Sequence, residues 1–113
     1  MKMPSHQGIV PIFKPSGMTS SAVTAKIKRF LGTKTGHFGT LDPMASGVLP
    51  VMLGRATRLS ELMPETKEYE AVLRLGYRTA TGDITGNVLE TKDVDVTTED
   101  FLEALKKFTG KIM

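Results

Sequence analysis

The residues best suited to chemistry lie in one glycine-rich segment, Gly36-His37-Phe38-Gly39-Thr40-Leu41-Asp42-Pro43-Met44-Ala45-Ser46-Gly47. An ionised carboxylate such as Asp42 can attack an electrophilic carbon or take a proton, and is released unchanged afterwards. His37, Thr40 and Ser46 add hydrogen-bonding groups beside it, and the glycines allow a ligand to approach the backbone closely. Asp42 is also the only acidic residue in the first 60 positions, which hold eight lysines and arginines. Positive surroundings favour the charged, nucleophilic form of the acid. They also suggest a polyanionic partner.

The segment excludes several chemistries. It lacks the Gly-Lys-Ser/Thr ending of a phosphate-binding P-loop. One histidine and one aspartate five residues apart, with no third ligand nearby, do not make a metal site. With no cysteine in 113 residues, disulfides, thiolate metal sites and thiol nucleophiles are excluded, which fits a reducing compartment. Asp42-Pro43 also fits a helix N-cap followed by proline at the first helical position. Lys14 could be a solvated turn lysine, His37 a loop staple and Tyr69 a strand aromatic. Asp83-Ile84-Thr85-Gly86 begins like a calcium loop but lacks the later ligands, so a turn is expected.

Net charge is +3, unevenly spread. Residues 1–60 carry eight basic and one acidic residue, a balance of +7; residues 61–113 carry seven basic and eleven acidic, a balance of −4. Such a division favours one face that binds phosphates. No run approaches the ~20 apolar residues of a membrane-spanning helix, and the first seven residues have no apolar core like that of a signal peptide. A soluble cytoplasmic protein is expected.

The elements that must position these residues read as a mixed α+β domain. Ile9–Phe13 is a short apolar run, a strand that Pro11 confines to an edge or a bulge. Lys14-Pro15-Ser16-Gly17 is a turn. Thr19-Ser20-Ser21 offers N-cap hydroxyls to a helix with Val23, Ile27, Phe30 and Leu31 at helical spacing, stopped by Gly32. Residues 33–47 read as a long loop. Val48–Leu53 is a buried strand closed by Gly54, and Ala56–Met63 a short helix ending before Pro64. Tyr69–Tyr77 alternates like a strand, residues 78–86 form a polar loop, and Asn87–Glu90 is its hairpin partner. Thr97-Thr98-Glu99-Asp100 resembles a capping box for a last helix with Phe101, Leu102, Leu105 and Phe108 on one stripe.

Four ordered blocks resemble the bacterial tRNA pseudouridine synthase B family. They are Lys14-Pro15-Ser16-Gly17-Met18-Thr19-Ser20, Gly36 through Pro50, Gly54-Arg55-Ala56-Thr57, and Lys67-Glu68-Tyr69 with Leu75-Gly76-Tyr77-Arg78-Thr79. The resemblance spans about residues 8 to 113. It implies a pseudouridine synthase-like fold: mixed α+β, a mostly antiparallel sheet with flanking helices, here truncated. The implied enzyme isomerises the T-loop uridine of tRNA to pseudouridine.

By the same resemblance Asp42 falls on the catalytic aspartate, Tyr69 on the tyrosine that stacks on the target base, and His37 on the histidine near the flipped-out nucleotide. Lys14 and Pro15 fall on the Lys-Pro motif beside the catalytic loop. Lys14, Gly39 and Thr40 join His37 and Tyr69 as expected substrate-binding residues. No metal or organic cofactor is implied. The partner is the T-arm of tRNA, and the parent is expected to be a monomer.

Residues 1–7 are expected to be a flexible N-terminus and 8–113 the N-terminal portion of the catalytic domain. Family members continue further, with the arginine that pairs with the catalytic aspartate and a small RNA-binding domain. The fragment alone is therefore expected to be inactive. A non-catalytic RNA-binding module that uses the basic half is the alternative.

Overall fold

The computed structural model describes residues 6–64 and 66–111. Of the expected flexible N-terminus, residues 1–5 lie outside the described residues. The chain divides into two compact units, residues 1–70 and 71–113.

The first unit is built on three antiparallel strands: β1 (Gly8–Lys14), β2 (Thr35–His37) and β3 (Gly47–Leu53), in the order β1-β3-β2. Side chains of a strand alternate between faces, so register decides what is buried. Ile12 lies opposite Leu49 and Val10 opposite Val51, which puts them on one face; Phe13 lies opposite Val48 on the other. Leu49 and Val51 are fully buried, while Phe13 and Val48 are exposed. Pro11 faces Pro50. The Pro50 carbonyl points away from β1 to accept from the Phe38 N–H at 3.3 Å. The proline pair is thus a non-hydrogen-bonded one, and neither imide deprives the β1–β3 ladder of a donor.

Helix α1 (Ser20–Leu31) covers the buried face. The Thr19 hydroxyl caps its start by accepting from the Ala22 N–H at 3.0 Å. Gly32, at φ 64°, ends it in the left-handed conformation, its N–H donating to the Lys28 carbonyl at 2.8 Å. Val23, Leu49, Val51 and Leu53 form the core, with Ile12, Met18, Ile27, Leu31 and Leu41 packed around it. Phe30 departs from the expected stripe and is 87% exposed. At 3.6 residues per turn it sits roughly 60° round the helix from Ile27, off the face turned to the sheet. After β3 a 3-10 helix runs Gly54–Leu62, where the short helix was expected.

Two further expectations give way here. The loop 33–47 contains β2, whose three residues pair with the far end of β3. Its Thr-Gly-His sequence has no apolar alternation, so only the available sheet edge makes it a strand. No helix starts at Asp42-Pro43: the chain makes a single turn, with the Ala45 N–H donating to the Asp42 carbonyl at 2.9 Å. The helix-cap alternative for Asp42 is set aside.

The second unit holds a hairpin of β4 (Tyr77–Thr79) and β5 (Val88–Thr91), with an irregular register at Arg78/Thr79, and helix α2 (Thr98–Leu105). The expected strand Tyr69–Tyr77 is not formed as such, and only Tyr77 joins β4. Alternation supplies two faces, but a strand also needs a ladder partner, and β5 reaches only Tyr77–Thr79. The capping box is present: the Thr97 hydroxyl accepts from the Asp100 N–H and the Asp100 carboxylate from the Thr97 N–H, both at 3.1 Å. Asp83 serves a turn, as expected, accepting from the hydroxyls of Thr81 and Thr85 and the Thr85 N–H. These bonds hold its carboxyl below the usual range. None of the described side chains of this unit is buried, and the α2 stripe is largely exposed.

Candidate active site

The turn that carries Asp42 is fastened to the segment between β1 and α1. Lys14 ends β1 on its buried face and is completely buried. A buried ammonium must spend its donors on acceptors. Lys14 Nζ donates to the carbonyls of Pro15 (2.9 Å), Met18 (2.7 Å) and Pro43 (3.1 Å). The first two bonds shape the turn after β1; the third crosses to the residue after Asp42. The Gly17 N–H donates to the same Pro43 carbonyl at 2.8 Å. The Ser16 hydroxyl donates to the Met44 carbonyl at 2.7 Å.

On the other side of Asp42, Ser20 is buried in the first turn of α1. Its hydroxyl donates to the Leu41 carbonyl and accepts from the Leu41 N–H, each at 3.0 Å. The backbone is thus fixed at Leu41, Pro43 and Met44. The Asp42 side chain is exposed, and among the described residues it accepts no hydrogen bond and pairs with no cation. A free carboxylate on an immobilised turn is a group available for a reaction rather than for structure.

Thr40 is a second junction. Its hydroxyl lies 3.1 Å from His37 Nε2, and its carbonyl accepts from Lys67 Nζ at 2.7 Å and, at the long distance of 3.5 Å, from the Tyr69 hydroxyl. His37 is half-buried at the end of β2, and desolvation lowers its pKa from the ordinary value. Gly39, at φ 66°, turns the chain between His37 and Thr40 in a conformation that side chains resist. Tyr69 is 46% exposed, so its ring is open to a ligand.

The structure therefore gathers Lys14, His37, Gly39, Thr40 and Tyr69 around the Asp42 turn. Lys14 enters as a staple: all three of its donors are used inside the protein, and none is left for a substrate. Three participants carry no assigned role in the sequence. Ser16 reads there as a turn residue, Ser20 as a cap and Lys67 as part of a motif block. No local pattern marks contacts between segments more than twenty residues apart. No three His, Cys, Asp or Glu side chains group to hold a metal among the described residues. No described helix is long and apolar enough to cross a membrane.

Residues 26–113 match the family described as TruB family pseudouridylate synthase (N terminal domain). The chain belongs to that family. Among TruB relatives, the tRNA pseudouridine synthase B of Pasteurella multocida (strain Pm70) is 45% identical over 108 residues, which cover 94% of this chain and 35% of that protein. The tRNA pseudouridine synthase B of Clostridium kluyveri (strain ATCC 8527) is 49% identical over 107 residues, 93% of this chain and 37% of that protein. The chain thus spans about a third of the length of the curated TruB relatives it matches. A chain of the solved H/ACA RNP bound to a substrate RNA containing 2'-deoxyuridine shares 52% identity over 49% of this chain and 18% of its own length, at a TM-score of 0.47. The mixed α+β architecture with antiparallel sheets agrees with the expected fold class.

Proposed function

We propose that this chain is the nucleophile-bearing part of a cytoplasmic tRNA pseudouridine synthase, and that the reaction is isomerisation of the T-loop uridine to pseudouridine. The observation that carries the proposal is the free Asp42 carboxylate on a turn whose backbone is fixed at Leu41, Pro43 and Met44. Membership of the TruB family supports the choice of reaction.

The isomerisation breaks the N1–C1′ glycosidic bond, turns the uracil and rejoins it through C5. The C5 hydrogen leaves as a proton and N1 ends protonated, so no redox partner is required. An Asp42 oxygen attacks a carbon of the nucleotide, holds it while the base turns, and departs when the C5–C1′ bond is made. Holding the turn rigid keeps that oxygen aligned, where misplacement by about 1 Å can cost a hundredfold in rate.

The base must leave the RNA stack first, at a cost of a few kcal/mol. Stacking on the half-exposed Tyr69 ring can return ~1–3 kcal/mol. The basic half of the chain supplies salt-sensitive contacts to phosphates. His37, Gly39 and Thr40 border the turn where the extruded nucleotide would lie. Asp42 has no cationic partner among the described residues, so the 113-residue polypeptide alone is expected to be inactive.

The test is tritium release from tRNA carrying 5-tritiated uridine, using the intact protein. Release of the T-loop tritium, with pseudouridine found at that position, is the expected result. Salt-dependent tRNA binding by the intact protein without tritium release would favour a non-catalytic RNA-binding module instead.

A further inference from the structure

We infer that Lys67 is a phosphate-binding and positioning residue that joins docking of the RNA backbone to placement of the Asp42 turn; the inference rests on the function proposed above.

Among the described residues, Lys14 and Lys67 both donate to the 40–43 stretch, and they are placed oppositely. Lys14 is completely buried with three donors engaged. Lys67 is exposed, and among the described residues its ammonium has one partner, the Thr40 carbonyl at 2.7 Å. No acidic side chain pairs with Lys67 among the described residues. This is unlike a solvated ornamental lysine. Its head is fixed by a short charge-assisted bond two residues from a free carboxylate, and two N–H groups remain for an anion.

The Thr40 carbonyl is shared with the Tyr69 hydroxyl, and the Thr40 hydroxyl meets His37. One peptide therefore links the exposed ammonium, the exposed ring and the turn. A nucleotide whose base lies against Tyr69 has its own phosphodiester a few bonds away. That phosphate is the anion Lys67 is placed to receive. Binding it would hold the ammonium between the phosphate and the Thr40 carbonyl and so limit the freedom of the adjoining turn.

The experiment compares wild type, Lys67→Met and Lys67→Arg in the intact protein, with tRNA affinity measured across a salt series and single-turnover rate at saturating tRNA. Folding is checked by thermal unfolding. For Lys67→Met we expect affinity to fall about three- to tenfold and the slope of log K against log salt to shrink by about 0.7 to 0.9, one phosphate contact. We also expect at least tenfold slower single turnover. Lys67→Arg should recover the slope, since a guanidinium also grips phosphate. An unchanged slope in Lys67→Met, with or without a slower rate, would overturn the inference. Wild-type protein that binds tRNA but releases no tritium would instead defeat the proposed reaction and leave the salt slope to judge Lys67 by itself.

Discussion

Lys14 Nζ donates to the carbonyl of Pro43, 29 residues away, at 3.1 Å from a fully buried position. This bond joins the end of β1 to the turn of the candidate nucleophile, so the Lys-Pro block and the Asp42 block are parts of one structure. Lys14→Met keeps the length of the stem but takes the ammonium from the Pro15 and Met18 carbonyls, while the Pro43 carbonyl keeps the Gly17 N–H. It should lower the unfolding free energy by about 3 kcal/mol, given ~1–3 kcal/mol for each buried group left unpaired. Urea denaturation checks this; a variant as stable as the parent would show that the staple contributes nothing.

Ser20 and Thr19 separate positioning of the turn from capping of the helix. Ser20→Ala removes both bonds to Leu41 and should cost about 1–3 kcal/mol. It should also slow turnover at saturating tRNA by roughly tenfold or more, because the turn before Asp42 loosens. Thr19→Ala removes only the cap, about 0.5–2 kcal/mol, and should leave that rate unchanged. Stability and single-turnover rates measured side by side decide it. Equal rate losses would mean that α1 as a whole matters and the Ser20 clasp does not.

Gly54 opens the 3-10 helix at φ +61°, and a Cβ there would lie 2.8 Å from the His6 carbonyl oxygen. Gly32 has a similar φ of +64° but open space. Gly32→Ala should therefore cost about 1–2 kcal/mol, the left-handed penalty alone, and Gly54→Ala distinctly more. Thermal unfolding of the two variants gives the ranking, and the reverse order would contradict it.

His37 gives a pH signature. Desolvation lowers its pKa below the ordinary 6.5, so the folded protein takes up the proton less readily than the unfolded chain. Its contribution to stability is complete above pH 6.5. It declines as pH falls from 6.5 through the lowered folded value, and is constant below it. His37→Gln should flatten that part of the stability profile. Proton NMR titration of the imidazole should give a midpoint under 6.5; a midpoint at or above 6.5 would refute the desolvation argument.

Local signals were legible in the sequence and distant ones were not. Thr19, Gly32 and the Thr97–Asp100 box announced helix ends because a cap acts within three or four residues. Ile9–Phe13 and Val48–Leu53 announced strands through continuous apolar character. Thr35–His37 gave no such sign, because its strand state comes from the edge of β3. Tyr69–Tyr77 showed the alternation of a strand, yet only its last residue found a ladder partner. The motif blocks pointed to Asp42, but how they join could not be read from them. Lysine is rarely buried, so Lys14 read as a turn residue until three carbonyls were seen around its ammonium.

The central claim is that the free Asp42 carboxylate performs the chemistry. Asp42→Asn preserves shape and leaves the backbone bonds of the turn untouched, since none uses the side chain. In the intact protein the variant should unfold at the wild-type temperature and bind tRNA with near wild-type affinity. Its single-turnover tritium release from 5-tritiated uridine should fall by at least about 10³-fold, as expected when a covalent nucleophile is lost. Release within about tenfold of the wild-type rate would contradict the assignment of Asp42 as the nucleophile.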